Sequence, residues 1–165
     1  MKWSRNIRAR NPHAHILEAA SRITVPNPEA LFGLRALVVE DGPTLTHGGM
    51  AFGAGTVAAQ ESGAMIVDPR PFAVGRVRQV FTQFPHLGSV LPAMGYSPEQ
   101  IADLEQTIRD TPCDVVVEAT PAHLDRLMDL PMPVVRAGYE TVECGGLALE
   151  DILHDAVAER EPLFA

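Results

Sequence analysis

Residues 36–55 read ALVVEDGPTLTHGGMAFGAG, and the fold class turns on them. Ala36, Leu37, Val38 and Val39 form an apolar run with no polar alternation, ended by two acids, Glu40 and Asp41, and then by a glycine-rich connection. A short unbroken apolar run is the pattern of a strand buried on both faces, as in a parallel sheet clad by helices. Similar runs recur along the chain, and the expected strands are 15–17, 36–39, 64–67, 115–117 and 134–135. Between them amphipathic stretches predict helices over 56–61, 74–84, 98–109, 122–128 and 149–160. The alternation predicts an α/β fold, a mostly parallel sheet with helices on both faces.

The helix at 98–109 carries its own start and stop signals. Ser97 is placed as N-cap, Pro98 at the first helical position, and Ile101, Leu104 and Ile108 repeat at helical spacing before Thr111 and Pro112 end it. The first twelve residues are polar and arginine-rich without clear periodicity, so a poorly structured segment over 1–12 is expected, followed by one α/β domain over 13–165. A strand near His15 with little before it leaves a sheet edge that another segment or chain has to cover.

The 165 residues suit one domain with a real core. Apolar residues make up 46% and charged residues 21%, which excludes disorder for most of the chain. A formal net charge of -8 argues against nucleic acid or an anionic membrane as partner. Lys2 is the single lysine, so catalysis in the body of the chain has none to use. Cys113 and Cys144 lie far apart, which fits a reducing compartment and a cytoplasmic location. No run of apolar residues is long enough to span a membrane, and no signal peptide is expected.

Ligands of open parallel sheets gather beyond the carboxyl ends of the strands. The residues there are Glu18, Glu40, Asp41, Asp68, Arg70, Glu118, Thr120 and Arg136. Apolar runs tipped by an acid, Ile16-Leu17-Glu18 and Leu37-Val38-Val39-Glu40-Asp41, suit Mg²⁺, a hard ion that takes oxygen ligands. The glycines of 42–55 allow backbone N–H groups to approach a phosphate, and the helix start that follows adds unsatisfied donors. Pro69 and Pro71 fix the backbone around Arg70, which either clamps a phosphate or carboxylate with its planar fork or pairs with Asp68. His47 is a candidate proton carrier or phosphate contact. His13 and His15 have no further ligands at metal spacing and read as solvent-facing, and Cys113 as a small buried side chain.

The stretch Val39-Glu40-Asp41-Gly42-Pro43-Thr44-Leu45-Thr46-His47-Gly48-Gly49-Met50 resembles the cyclic 2,3-diphosphoglycerate synthetases and their relatives described as predicted GTPases. The resemblance continues through Ile66-Val67-Asp68-Pro69-Arg70-Pro71, residues 90–96, Thr111-Pro112-Cys113-Asp114-Val115-Val116-Val117 and Pro133-Val134-Val135-Arg136, covering roughly residues 11–139. It implies the C-terminal portion of a P-loop NTPase-type fold. It also implies an enzyme that uses ATP (or GTP) and Mg²⁺ to close an intramolecular phosphoanhydride in 2,3-diphosphoglycerate. On that implication Glu18 and Asp41 hold the metal. Thr44, Thr46, His47, Gly48 and Gly49 handle phosphate, Arg70 and Arg76 neutralise the substrate, and Thr120 lies near the nucleotide base; Asp41, His47 and Arg70 are the catalytic candidates.

The family's GxxxxGK[ST] loop is missing here, and Lys2 has no glycine before it. The chain resembles only the last third of the family's protein. Alone it is expected to be inactive, completed by a separately encoded P-loop chain, and homo-oligomeric. The alternative is a non-catalytic module that binds a phosphorylated metabolite or nucleotide without turning it over. A third reading is an incomplete frame with an unstable product.

Overall fold

The computed structural model describes residues 2–93 and 97–158. Residues 94–96 of the resemblance motif and the last two residues of the helix expected at 149–160 lie outside them. The chain divides into two compact units, Ile23–Tyr139 and the pair of segments 1–22 and 140–165.

The larger unit holds a five-stranded parallel sheet. At its centre is β2 (Arg35–Asp41), whose residues from Ala36 to Glu40 are all buried. On one side β2 pairs with β5 (Val115–Ala119), and β5 pairs in turn with β6 (Val134–Arg136). The other side of β2 is shared: β3 (Met65–Ile66) pairs with Arg35 and Ala36, while β4 (Leu91–Ala93) takes over at Val39–Asp41.

Period-two alternation sends successive residues of β2 and β5 to opposite faces, each with its own core. Ala36, Val38, Val115 and Val117 pack with Leu45 of α2 (Gly42–Thr46) and with Ala58 and Ala59 of α3 (Ala54–Glu61). Leu37, Val39 and Val116 pack with Val77 of α4 (Gly75–Gln83), with Leu104 and Ile108 of α5 (Pro98–Asp110) and with Leu124 of α6 (Leu124–Leu127). Ser97 and Gln100 form a capping box at the start of α5, the start read from the sequence.

The smaller unit contains α1 (Lys2–Arg10), most of β1 (Ala19–Thr24) and of β7 (Gly138–Glu143), which pair with one another, and α7 (Leu149–Ala158). Two expectations change here. Residues 2–10 are helical rather than poorly structured: arginine is a good helix former, and Trp3 and Ile7 stand one turn apart. Residues 15–17 have no ladder partner, and the strand begins beyond Glu18. The span expected as one domain over 13–165 is divided between the two compact units, and none of its described residues in 13–22 and 140–158 is buried. No helix among the described residues is long and apolar enough to cross a membrane.

Candidate functional site

The chain leaves β2 toward the face covered by α2 and α3, and leaves the neighbouring strand β5 toward the face covered by α6. Loops of adjacent parallel strands that part in this way open a crevice at the carboxyl rim, the topological switch point where open α/β sheets take ligands. The register sets Glu40 beside Ala119, Asp41 beside Ala93, and Glu118 between Val39 and Arg136.

Asp41 is the N-cap of α2: its Oδ2 accepts from Thr44 N at 3.2 Å and from Thr44 Oγ1 at 2.6 Å. Oδ1 has no hydrogen-bond partner among the described residues. Mg²⁺ keeps much of its water and is commonly held by one or two protein carboxylates plus substrate phosphates, so Asp41 suits it. Glu18 lies at the amino end of β1, in the other unit, where it accepts from Ser4 Oγ at 3.3 Å. It is therefore not at the carboxyl tip of a strand, where the sequence led us to expect it. Among the described residues no three His, Cys, Asp or Glu side chains gather as a ready metal cage.

The glycine-rich connection is largely structured. Thr46 is buried, and its hydroxyl donates to Gly42 O at 2.9 Å and meets His47 Nδ1 at 3.1 Å. With its hydrogen given to Gly42 O, the second contact requires Nδ1–H as donor, which leaves Nε2 of the exposed His47 ring as acceptor. Gly48 closes α2, with its N–H on Thr44 O at 3.1 Å, and a Cβ there would run into that same carbonyl. Gly49 adopts φ 65°, in the left-handed region. Thr44, His47, Gly48 and Gly49 are exposed at the rim and Thr46 turns inward.

The N-terminus of α3, where free donors for a phosphate were expected, is already filled. Glu40, only 3% exposed, accepts from Gly53 N at 3.0 Å, Thr56 N at 2.9 Å and Thr56 Oγ1 at 3.1 Å through Oε1. An internal carboxylate thus occupies the position that an anionic ligand would take.

Arg70 pairs with Asp68: Nε reaches Oδ1 at 2.9 Å and Nη2 reaches Oδ2 at 2.6 Å. Asp68 is held below its ordinary range by that hydrogen bonding, and Arg70 is raised in turn. Arg76 donates from its backbone to Asp103 and from Nη1 to Gln79. The surface-pair alternative for Arg70 is therefore the arrangement present, and the strand before it, β3, stops level with Ala36 rather than at Asp41.

Thr120 is buried, with its carbonyl on Arg136 Nη2 at 3.0 Å. It belongs to a cluster that sequence reading listed only as charged strand ends. Glu118, also 3% exposed, takes Arg136 Nη1 on Oε1 at 2.8 Å and Leu124 N on Oε2 at 3.0 Å. Arg136 Nη1 also meets His123 Nδ1 at 3.2 Å, a contact in which the always-charged guanidinium donates. Nε and one Nη2 hydrogen of Arg136 remain without an acceptor among the described residues, on a side chain 39% exposed. Cys113 is half-buried and its thiol is pushed up, mainly by burial, as suits an inert packing role.

The rim thus gathers Asp41, Thr44, His47, Gly48 and Gly49 after β2, and Thr120, His123 and Arg136 after β5 and β6. No protein-family model and no solved structure matches the chain. Among curated proteins, the arginine synthetase ArcE of Thermococcus kodakarensis is 51% identical over 154 residues. That similarity covers 93% of this chain but 34% of the relative, so the chain spans about a third of the length of the curated protein it matches.

Proposed function

We propose that the chain is the C-terminal portion, or a separately encoded subunit, of a nucleotide- and Mg²⁺-dependent synthetase. The observation that carries the proposal is the 51% identity across nearly the whole chain to part of a protein named as a synthetase. The acid-tipped switch point between β2 and β5 supports it chemically.

Their bonds support the following roles for the chain's own residues. Asp41, oriented by Thr44, would hold Mg²⁺ through Oδ1. When bound, the metal would neutralise phosphoryl oxygens of ATP (or GTP) and of the activated substrate. Thr44, His47, Gly48 and Gly49 border the same rim and would orient a phosphate, His47 Nε2 being able to take a proton. Arg136, fixed by Glu118 and Thr120, would offer its unused N–H groups to an oxyanion of the substrate. The cradle for the β- and γ-phosphates would come from a P-loop polypeptide, since this chain has no such motif.

The relative's name favours arginine as the product. Forming the last C–N bond of a guanidinium from a ureido carbon needs an ammonia or amine nitrogen as nucleophile and the ureido oxygen turned into a leaving group; phosphoryl transfer from ATP to that oxygen, with release of ADP, would allow it to depart as inorganic phosphate. The motifs from Val39 to Met50 favour instead the closure of a phosphoanhydride in 2,3-diphosphoglycerate. Both need an activated phosphoryl group beside a cation.

Co-expression with the part of the Thermococcus kodakarensis protein that has no counterpart here distinguishes them. The proposal expects ATP consumption that depends on Mg²⁺ and on both polypeptides, with arginine as product. Cyclic 2,3-diphosphoglycerate as product would select the second substrate. Binding of MgATP without turnover would leave a non-catalytic module.

A further inference from the structure

None of the described residues in 3–22 and 140–158 is buried. The same segments carry Trp3, Ile7, Val142, Leu149, Leu153 and Val157, exposed by 40% to 81%. Leu149, Leu153 and Val157 recur every four residues and form one stripe along α7. A shallow groove of about 790 Å³ runs beside it, lined by Glu143, Leu149, Leu153, His154 and Val157. Glu150, Asp151 and Asp155 make the rest of the helix acidic, with no lysine or arginine among its ten residues. A ten-residue helix is too short to hold in water by propensity alone and relies on packing of its apolar stripe.

We infer that this face of α7 is the docking surface for the polypeptide corresponding to the two thirds of the arginine synthetase that this chain lacks. The inference rests on reading the chain as part of a larger synthetase. The match leaves at most 11 of the 165 residues (165 − 154) outside the shared stretch, so most of this surface belongs to the portion the two proteins have in common. The relative has about twice as much additional chain with which to cover it. A second copy of this chain fits less well, because self-pairing would set Glu150, Asp151 and Asp155 against their own counterparts. The partner face should be an apolar seam bordered by arginine or lysine.

The test co-expresses the full chain with the remaining part of the Thermococcus kodakarensis protein, tagged on the latter. Soluble recovery and a one-to-one complex by light scattering are the expected results. Leu153→Glu with Val157→Glu should cut recovery or affinity at least tenfold while leaving the cooperative unfolding of the chain, set by the core of the five-stranded sheet, unchanged. Asp151→Arg with Asp155→Arg should weaken the complex several-fold. Met65→Glu, at a residue 57% exposed on β3, should leave it intact.

Failure to form a complex, a complex indifferent to the Leu153 and Val157 changes, or a dimer of this chain that those changes dissolve would each overturn the inference. Turnover in the same mixture separates the two readings. An α7-dependent complex without turnover keeps the surface and removes the synthetase function; turnover indifferent to α7 does the reverse.

Discussion

Glu40 of β2 and Glu118 of β5 lie one residue out of register on neighbouring strands and turn to opposite faces of the sheet, Glu40 accepting from Thr56 N in the first turn of α3 and Glu118 from Leu124 N, the first residue of α6. Both are 3% exposed. The two buried acids anchor the two diverging loops and so hold the switch point open.

Glu40→Ala would strand Gly53 N, Thr56 N and the Thr56 hydroxyl in a buried place. Leaving donors of a charged acceptor unsatisfied costs about 3 kcal/mol. Gly53→Ala would drive a Cβ into the Glu40 carboxylate. Urea unfolding of both single variants and the double variant should give strongly non-additive losses; additive losses would mean that the carboxylate does not seat on this loop.

Arg136→Met leaves Glu118 buried without its cation. Breaking a buried pair from one side costs about 3–5 kcal/mol, discounted toward the lower figure because Arg136 is partly exposed. Arg136→Met with Glu118→Gln should recover much of the loss. Equal stability of wild type and Arg136→Met in denaturant would remove the pair as the anchor of β6.

Arg70→Lys tests whether the Asp68 pair carries any weight. Both side chains are exposed, and pairs of this kind contribute less than about 1 kcal/mol. Thermal unfolding should shift little. A large shift would show Arg70 engaged in something more than its surface partner.

Arg35 holds the Asp114 carboxyl down at about 2 through side-chain and backbone hydrogen bonds. A carboxylate whose folded value lies below the ordinary value of about 3.9 stabilises fully above that value and ceases to do so as pH falls toward its folded value. The contribution is therefore lost between about pH 4 and pH 2. Asp114→Asn should flatten melting temperature against pH in that window; parallel curves for the two proteins would contradict the pairing.

Local signals were readable in the sequence and distant ones were not. The cap of α5 lies within four residues, from Ser97 to Gln100, so its chemistry is visible in one glance along the chain. The central strand was equally plain, because Ala36 to Val39 is apolar throughout. β4 escaped, since Leu91-Pro92-Ala93 is three residues long, contains a proline, and is a strand only by pairing with Val39–Asp41. β7 escaped too: Gly138-Tyr139-Glu140-Thr141-Val142-Glu143 has no apolar run, and its Tyr139 and Val142 stay exposed. The site divides the same way. Asp41 and Thr44 are three residues apart and their N-cap bond is local, whereas Glu118 and Arg136 meet only because β5 and β6 adopt one register.

The most direct test is the Mg²⁺ dependence of nucleotide binding in the co-expressed complex, wild type against Asp41→Asn. Asparagine still caps a helix, so α2 should survive the change, while the anionic oxygen for the metal is lost. A Mg²⁺ midpoint raised at least tenfold is the predicted result. An unchanged midpoint in a folded complex would contradict the assignment of the β2 rim to metal and phosphate.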